Sequence, residues 1–236
     1  MFIEERDGDV AVVRLSHPPV NAVSFAAWGE FPGLIRRLEQ DDVGAIVFTG
    51  LPGRHFCGGN DFREFTSLTP RQTLEGTGKV RDAMKAVRQS RIPAIAAIHG
   101  AAMGSGLMLA CACDMRLSTR DARLALPEVK VGAFGGYRIV REALPQGDAR
   151  LLTYTGRPIS GARAHQIGLV QEVFDDPSAV LDGAIGIARE ITALLKGRLR
   201  TDIKPCLTEE DTLGLWEAYE LERELAARTM GNMAGS

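Results

Sequence analysis

Two glycine-rich segments contain the residues of this sequence whose types and spacing could do chemistry. The first spans residues 56–62 and the second spans residues 100–106, and each follows a short apolar run. A strand that gives way to a helix leaves backbone N–H groups unpaired at the start of the helix, where they can bind an anion. Two such groups converging from different segments would form an oxyanion hole for acyl chemistry.

Three other motifs with glycine at a strand-to-helix junction do not fit these segments. A dinucleotide-binding fingerprint requires a glycine where Leu109 stands. A P-loop requires Gly-Lys-Ser/Thr, which neither segment contains. A nucleophile elbow around Ser105 would need glycines in place of Met103 and Leu107. Each segment taken alone is also typical of a tight turn that merely allows close packing.

The apolar pattern around the glycine segments predicts strands and helices in alternation. Buried strands are expected at residues 45–48 and 94–98, just before the two segments, and an N-terminal hairpin is expected to turn at Asp7-Gly8. A helix is expected over residues 24–41, with a break at Pro32. Strand, glycine segment and helix repeated in this order favour an α/β fold with a parallel sheet.

The last part of the sequence is predicted to be mostly helical. A short strand is expected over residues 169–173, and the last helix is expected over residues 208–228. No linker, repeat or low-complexity stretch divides the chain. We therefore expect one domain, with a core over residues 1–175 and a helical part of the same domain over residues 176–236.

Composition argues against several classes of protein. Lys+Arg 28 against Asp+Glu 30 gives a formal net charge of -2, without the basic cluster of a nucleic-acid-binding protein. Cys57, Cys111, Cys113 and Cys206 lack metal-ligand spacing, so we expect reduced, buried thiols and no metal site. The N-terminus lacks the pattern of a signal peptide, and no apolar run approaches the ~18 residues of a membrane span. A cytoplasmic protein is expected.

Six short motifs occur in order between about residues 2 and 228. They are Pro18-Pro19-Val20-Asn21-Ala22, Phe56-Cys57-Gly58-Gly59-Asn60-Asp61, the glycine-rich helix start from His99 to Gly106 with Cys113-Asp114, Pro127-Glu128-Val129-Lys130-Val131-Gly132, Thr155-Gly156-Arg157-Pro158-Ile159, and Ala164-His165-Gln166-Ile167-Gly168-Leu169-Val170. In this order the motifs resemble the crotonase superfamily, also called the enoyl-CoA hydratase/isomerase family.

The resemblance implies both an architecture and a ligand. The fold would be a crotonase-like spiral of ββα units, closed by C-terminal helices that build homotrimers or paired trimers. The ligand would be an acyl-CoA thioester of fatty acid metabolism. No cofactor is expected apart from the coenzyme A that belongs to the substrate.

The resemblance also assigns expected roles to individual residues. The backbone N–H groups of Asn60 and Ser105 would form the oxyanion hole. The substrate and its CoA arm would be lined by Val20, Asn21, Ala22, Asp61, Phe62, Gly104, Met108 and Phe134. Asp61 is expected to hold its loop in place rather than react, and His99 is expected to be a hydrogen-bonded structural residue.

Two positions bear on which reaction of the family is expected. Family hydratases use two glutamates, and this sequence has Met108 at the first position and Glu128 at the second. Family isomerases need one carboxylate, so the resemblance favours isomerisation of an enoyl-CoA, with Glu128 as general acid/base. An apolar pocket including Met108 and Phe134 is expected to raise the pKa of Glu128. Hydration, decarboxylation, hydrolysis and non-catalytic acyl-CoA binding remain alternatives.

Overall fold

Strands and helices alternate through the computed structural model, which describes residues 2–51, 55–65 and 68–230. The strands are β1 (Phe2–Asp7), β2 (Val10–Leu15), β3 (Ala22–Val23), β4 (Ala45–Gly50), β5 (Gly59–Asn60), β6 (Ala94–Ile98), β7 (Ala101–Met103), β8 (Met115–Thr119), β9 (Arg123–Ala125), β10 (Ile159–Ser160) and β11 (Glu172–Phe174). The helices are α1 (Phe25–Gln40), α2 (Phe62–Phe65), α3 (Pro70–Gln89), α4 (Ser105–Ala112), α5 (Tyr137–Glu142), α6 (Gln146–Thr155), α7 (Gly161–Gln166), α8 (Pro177–Leu194), α9 (Arg198–Glu210) and α10 (Leu215–Met230), with a 3₁₀-helix at Pro127–Val131.

A six-stranded sheet forms the centre of the fold, in the order β1-β2-β4-β6-β8-β11. The hairpin expected at Asp7-Gly8 is confirmed, because β1 pairs antiparallel with β2 and Asp7 faces Val10 across the turn. The remaining neighbours in the sheet pair in parallel. A parallel sheet needs a crossover between strands, and the helices that provide the crossovers cover its faces.

The sheet is buried on both faces, and successive residues of β2 enter two different cores. Ala11 and Val13 belong to the larger core, to which buried residues of α1, α3 and α4 contribute. Val10 and Val12 belong to a smaller core beneath α8. Side chains alternate between the faces of a strand, so a strand covered on both sides must be apolar at nearly every position.

Two small sheets place the glycine-rich segments beside each other. β5 pairs in parallel with β3, and β7 lies in a three-stranded sheet of order β10-β9-β7. β5 belongs to the first glycine segment, whereas β7 belongs to the second and runs into α4. The pairing of β5 with β3 and of β7 with β9 therefore determines the positions of the two glycine-rich segments.

Three predicted features differ from the structure. Pro32 lies inside α1 without ending it, because α1 buries a stripe of large apolar residues that includes Trp28, Phe31 and Leu38. Burial of each such side chain contributes about 1.5–3 kcal/mol, which offsets the roughly 3 kcal/mol cost of an internal proline. The helix expected over residues 208–228 is two helices, α9 and α10, separated by a turn. The strand expected over residues 169–173 begins later, at Glu172.

The C-terminal helix α9 is attached to the core through a buried lysine. Lys204 forms a 2.8 Å ion pair with Asp114 and donates hydrogen bonds to the carbonyl oxygens of Val87 and Ile92. Lys204 therefore ties α9 to both α3 and the segment before β6. The four cysteines are free and buried, as the composition predicts. In the described parts of the chain, none of the helices is long and apolar enough to cross a membrane.

Candidate active site

The two glycine-rich segments run side by side and are joined by backbone hydrogen bonds. Cys57 forms a parallel bridge with Ala102, and the Met103 N–H donates to the Cys57 carbonyl at 2.9 Å. A Cβ atom on Gly106 would lie 2.5 Å from that carbonyl oxygen, and one on Gly59 would lie 2.7 Å from the carbonyl oxygen of Met103. Real Cβ atoms do not approach backbone this closely, so glycine at these positions permits the contact between the segments.

The backbone N–H groups expected to form an oxyanion hole lie at the ends of these segments. Asp61 donates its N–H to the Val23 carbonyl at 3.0 Å. Successive residues of a strand present their N–H groups to opposite edges, so the N–H of Asn60 faces away from β3. Ser105 is the first residue of α4, where an N–H has no carbonyl partner within the helix. A Cβ on Gly59, the neighbour of Asn60, would lie 3.7 Å from the Ser105 nitrogen.

The side chain of Asn60 joins the two segments a second time. Its Oδ1 accepts a 2.8 Å hydrogen bond from the Ser105 hydroxyl and another 2.8 Å bond from the Trp28 indole N–H. Trp28 is fully buried in α1, and Ser105 is buried as well. This network could not be predicted from the sequence, because no spacing relates a tryptophan in α1 to the first glycine segment.

Glu128 lies across from the start of α4, in the 3₁₀-helix that begins at Pro127. A Cβ atom on Gly104 would lie 2.5 Å from its Oε1. Its Oε2 is buried without a hydrogen-bond partner in the described part of the chain. Burial removes water from the carboxylate and raises the pKa of Glu128, opposed only by a smaller backbone hydrogen-bond effect. A carboxylate with a raised pKa and a free oxygen is suited to accept and return a proton.

A cavity of about 550 Å³ brings Asn60, Gly104, Glu128 and Phe62 together; we call it the Glu128 cavity. Its other lining residues are Gly58, Gly59, Pro127, Lys130, Val131 and Ala133. Glu128 is the one carboxylate among these described residues. Within the described part of the chain, the cavity therefore combines a mainly apolar wall with a single carboxylate and the Asn60 end of the candidate oxyanion hole.

A second opening of about 390 Å³ adjoins the first and is called here the Val20 groove. It is lined by Val20, Ala22, Asp61 and other residues, and it shares Gly58, Asn60 and Phe62 with the Glu128 cavity. The structure thus brings Val20, Ala22, Asp61 and Phe62, four of the residues expected to line the CoA site, to one groove. Asp61 accepts hydrogen bonds from the backbone and guanidinium of Arg63, consistent with a role in holding its loop.

Asn21 lies inside the protein and does not line the Val20 groove. Its side chain is completely buried: Oδ1 accepts from the His17 N–H at 3.0 Å, and Nδ2 donates to the His55 carbonyl at 2.6 Å. The backbone of Asn21 is left-handed, with a φ of 56°. Asn21 therefore fixes the turn beside Val20. Of the Val20-Asn21-Ala22 backbone that was expected to line the groove, Val20 and Ala22 are at its surface.

Met108 and Phe134 do not form the wall around Glu128 that the sequence led us to expect. Met108 lines a separate cavity of about 620 Å³, the Met108 cavity, where its Sδ lies 2.9 Å from the position of a Cβ on Gly136. Phe134 is 79% exposed and lines neither cavity. Met108 lies one turn beyond Gly104 on α4. The apolar wall beside Glu128 comes instead from Pro127, Val131 and Ala133.

Lys130 also lines the Glu128 cavity, although it is not among the site residues predicted from the sequence. It lies in the same 3₁₀-helix as Glu128, and its position inside the Pro-Glu motif was the available signal. The Lys130 Cε lies 3.0 Å from where a Cβ on Gly156 would be, and Gly156 has a φ of 58°. The glycine of the Thr155-Gly156 motif therefore leaves room for the Lys130 stem beside the cavity.

Other residues capable of chemistry lie away from a reactive arrangement. The His99 Nε2 lies 3.1 Å from the Leu51 carbonyl oxygen, as expected of a structural histidine, and burial lowers the pKa of His99. Burial raises the pKa of the Cys57 thiol to about 12, which disfavours a thiolate nucleophile near the glycine segments. Among the described residues no group of His, Cys, Asp and Glu side chains is arranged to hold a metal ion.

Comparison with known proteins identifies the family of the chain. A family model described as enoyl-CoA hydratase/isomerase matches residues 5–231. The chain belongs to the enoyl-CoA hydratase/isomerase family, and its fold is that of the crotonase superfamily. It superposes on the crystal structure of an enoyl-CoA hydratase from Mycobacterium smegmatis with a TM-score of 0.88 and 28% identity, covering 97% of this chain and 90% of the other.

A relative named as a hydratase and a relative named as an isomerase have nearly the same sequence identity to the chain. A Clostridium acetobutylicum short-chain-enoyl-CoA hydratase is 33% identical over 199 residues, which cover 81% of this chain and 75% of the relative. An Arabidopsis thaliana peroxisomal Delta(3,5)-Delta(2,4)-dienoyl-CoA isomerase is 34% identical over 195 residues, which cover 75% and 69%. The chain also matches multifunctional proteins, of which it spans 26% to 32% of the length.

Proposed function

We propose that the chain isomerises enoyl-CoA thioesters by moving a double bond, with Glu128 as the single acid/base. The observation that carries this proposal is that Glu128 is the one carboxylate among the described residues lining its cavity. Hydration by the two-carboxylate route would need a second carboxylate, and the position where the family has one is Met108, which lines a different cavity. One base can remove a proton from one carbon of a substrate and return it to another carbon of the same substrate.

The proposed reaction moves one proton and changes no oxidation state. The Glu128 carboxylate takes a proton from C2 of a 3-enoyl thioester, and the electron pair of the C–H bond delocalises through C1 onto the thioester oxygen. The N–H groups of Asn60 and Ser105 donate hydrogen bonds to this dienolate oxygen. Glu128 then returns the proton to C4, so that the double bond lies between C2 and C3 in conjugation with the thioester.

The Val20 groove is the proposed site for the CoA arm. It opens beside Asn60, so an acyl group in the Glu128 cavity can continue into the groove without passing through the core. Phe62 lies at the border of the two and is exposed enough to contact a ligand. Substitution of Val20 by Asp is expected to raise KM for acyl-CoA with little change in kcat.

The isomerase proposal is tested by mixing the chain with 3-hexenoyl-CoA and following the ultraviolet absorbance of the conjugated 2-enoyl thioester. Glu128→Gln is expected to lower kcat by about 10²–10⁴, the usual range for a positioned acid/base. Glu172→Gln, which removes an exposed carboxylate from β11, serves as the control and should leave the rate unchanged. Absence of turnover in the parent chain, or a Glu128→Gln variant as active as the parent, would contradict isomerisation.

Hydration is the second candidate, because a relative at 33% identity is named as a hydratase. Incubation with 2-hexenoyl-CoA separates the two candidates: a hydratase adds water across the conjugated double bond and gives a 3-hydroxyacyl thioester, whereas an isomerase gives only the small equilibrium fraction of the 3-enoyl thioester. A 3-hydroxyacyl thioester formed from 3-hexenoyl-CoA would require the double-bond shift first and would indicate that both reactions occur.

A further inference from the structure

The Met108 cavity has an apolar floor. The floor consists of Met84 from α3, Met108 from α4 and Ile139 from α5, all of which line the cavity. Met108 is the one residue of α4 that is not buried. Methionine side chains are adaptable and suit apolar ligands of varied shape. Hydrocarbon placed against this floor would remove apolar surface from water, which favours binding.

Positive charge is concentrated on the α3 side of the same cavity. Arg81, Lys85 and Arg88 line it, and their spacing in the sequence places them on one face of α3. Neighbouring like charges on a helix face destabilise it. This face of α3 is therefore unfavourable unless anions compensate its charge.

The carboxylates that line the Met108 cavity compensate two of its cations. Asp211 forms an ion pair with Arg88 at 2.9 Å, and Glu142 forms one with Arg138 at 2.5 Å. Both carboxylates of the described lining are thus already paired, and neither is left to neutralise the rest of the α3 face.

Lys85 is the lining cation that lacks a counter-ion. Arg81 pairs with Asp82, its neighbour in the chain, which does not line the cavity. Lys85 is exposed, and no carboxylate of the described residues lies within ion-pair distance of it. The edge of the cavity consequently offers an ammonium group beside an apolar floor.

We propose that the Met108 cavity binds a free carboxylate with a hydrocarbon tail of roughly six to ten carbons, a length suited to a small-molecule site of about 620 Å³. The carboxylate pairs with Lys85, and the tail covers the apolar floor. A cationic amphiphile with the same tail meets the repulsion of the α3 face. This site is separate from the Glu128 cavity and does not depend on the proposed isomerisation.

The first test measures the affinity of the whole chain for simple amphiphiles by calorimetry, below the concentrations at which they aggregate. Affinity is expected to increase about tenfold from hexanoate to octanoate and again to decanoate, as burial of two methylene groups gives. Octanoate should bind about fivefold more tightly than octanol, which lacks the charge. Equal affinities for octanoate and octyltrimethylammonium, or no saturable binding of decanoate, would overturn the proposal.

A matched pair of substitutions shows which cavity holds the carboxylate. Lys85 lines the Met108 cavity and Lys130 lines the Glu128 cavity, and both are exposed. Lys85→Glu should weaken octanoate binding by about tenfold, because it removes one cation and introduces a carboxylate that competes for Arg81. Lys130→Glu should change it by less than about twofold. A loss in Lys130→Glu without one in Lys85→Glu would place the carboxylate beside Glu128 and reject the new site.

Met108→Gln tests the position of the tail, since it keeps the length of the side chain but makes the floor polar. The gain in affinity from octanoate to decanoate should become smaller, whereas the preference for octanoate over octanol should remain. An unchanged gain would contradict contact between the tail and Met108.

The outcomes also separate this site from the proposed isomerase. Binding of octanoate that depends on Lys85, in a chain that does not turn over 3-hexenoyl-CoA, supports the carboxylate site and contradicts isomerisation. Turnover that depends on Glu128, in a chain that does not bind decanoate, supports the isomerase and rejects the carboxylate site.

Discussion

The Oε1 of Glu128 lies 2.5 Å from the position that a Cβ atom on Gly104 would occupy. Gly104 is the N-cap of α4, with φ 53° and ψ -120°, and its neighbour Ser105 provides one of the proposed oxyanion donors. The absence of a side chain at Gly104 therefore allows Glu128, the only carboxylate among the described residues that line the Glu128 cavity, to approach the start of α4. One glycine therefore brings the proposed proton carrier, Glu128, close to the proposed oxyanion hole.

Substitution of Gly104 by Ala is expected to displace Glu128 and to lower isomerase kcat by about 10²-fold, since small displacements of a catalytic group cost about that much. The matched control is Gly197→Ala, because Gly197 has a similar backbone, with φ 56° and ψ -130°, and open space around a Cβ. Both variants carry the same backbone strain. Equal effects of the two on kcat, at matched folded fractions, would refute displacement of Glu128.

The pH dependence of activity should follow the raised pKa of Glu128, because only its carboxylate form can take a proton from C2. We expect kcat/KM to increase with pH until it passes a pKa above the ordinary value of 4.5 and then to level off. A pH–rate profile with 3-hexenoyl-CoA measures this. A profile whose acidic limb lies at or below 4.5 would disagree with burial of the carboxyl group.

Folding stability should also depend on the protonation of Glu128, but it should decrease with pH in the range where activity increases. The folded state binds the Glu128 proton more tightly than the unfolded state does, so the stabilisation is complete below the unfolded pKa and is lost as pH rises through the folded pKa. Glu128→Gln has no such loss, so its stability advantage over the parent should grow with pH across this window. Urea unfolding at several pH values tests this, with Glu172→Gln as the control.

The network around Asn60 should be visible in stability. Trp28→Phe and Ser105→Ala each remove one donor to Oδ1 and leave the other, so each is expected to cost about 1 kcal/mol for the hydrogen bond. The double variant leaves the acceptor without either donor and should cost more than the sum of the two. Urea unfolding of all four chains completes the cycle. Strict additivity would argue against a shared acceptor.

The buried Lys204 makes a prediction about the C-terminal helices. Lys204→Met leaves two carbonyl oxygens and Asp114 without their partner. We expect a loss of about 3 kcal/mol, the low end of the range for breaking a buried ion pair, because Asp114 is partly exposed. Lys196→Met, at an exposed position, should change stability by less than about 0.5 kcal/mol. Similar unfolding midpoints for the two variants would contradict the anchoring role.

Assembly into trimers or paired trimers remains a prediction, and α10 provides the means to test it. Trp216 is 75% exposed on this helix, next to the exposed Leu215 and near Tyr219. Large apolar side chains exposed together usually mark a surface that contacts another chain. Sedimentation should give the mass of three or six chains, and Trp216→Lys with Tyr219→Lys should reduce it. A monomeric parent chain would refute the expectation.

The sequence was sufficient to predict the features that depend on local pattern. Residues 45–48 and 94–98 are strands because a sheet covered on both faces needs consecutive apolar residues. The N-terminal turn at Asp7-Gly8 follows from the left-handed backbone that Gly8 adopts, with a φ of 60°. The order of the motifs was enough to place Asn60, Gly104 and Glu128 together, although they are far apart in the chain.

Pro32, Lys204 and the helices at the C-terminus show where local pattern is insufficient. A proline predicts a break unless the burial of its neighbours is known, and a lysine predicts exposure unless its acceptors are known. Both depend on residues remote in sequence. The same is true of Asn21, whose motif suggested a contact with substrate but whose amide completes the hydrogen bonding of two backbone segments.

The sequence alone therefore determined the fold family and the presence of a single glutamate beside two glycine-rich segments. Glycine and buried-strand patterns are local requirements of backbone geometry, so they can be recognised one segment at a time. Only the tertiary structure decided that Met108 and Phe134 do not line the Glu128 cavity, and that the Trp28 indole N–H donates to the side-chain oxygen of Asn60. The direction of a side chain depends on packing against elements distant in the chain, and no spacing in the sequence encodes it.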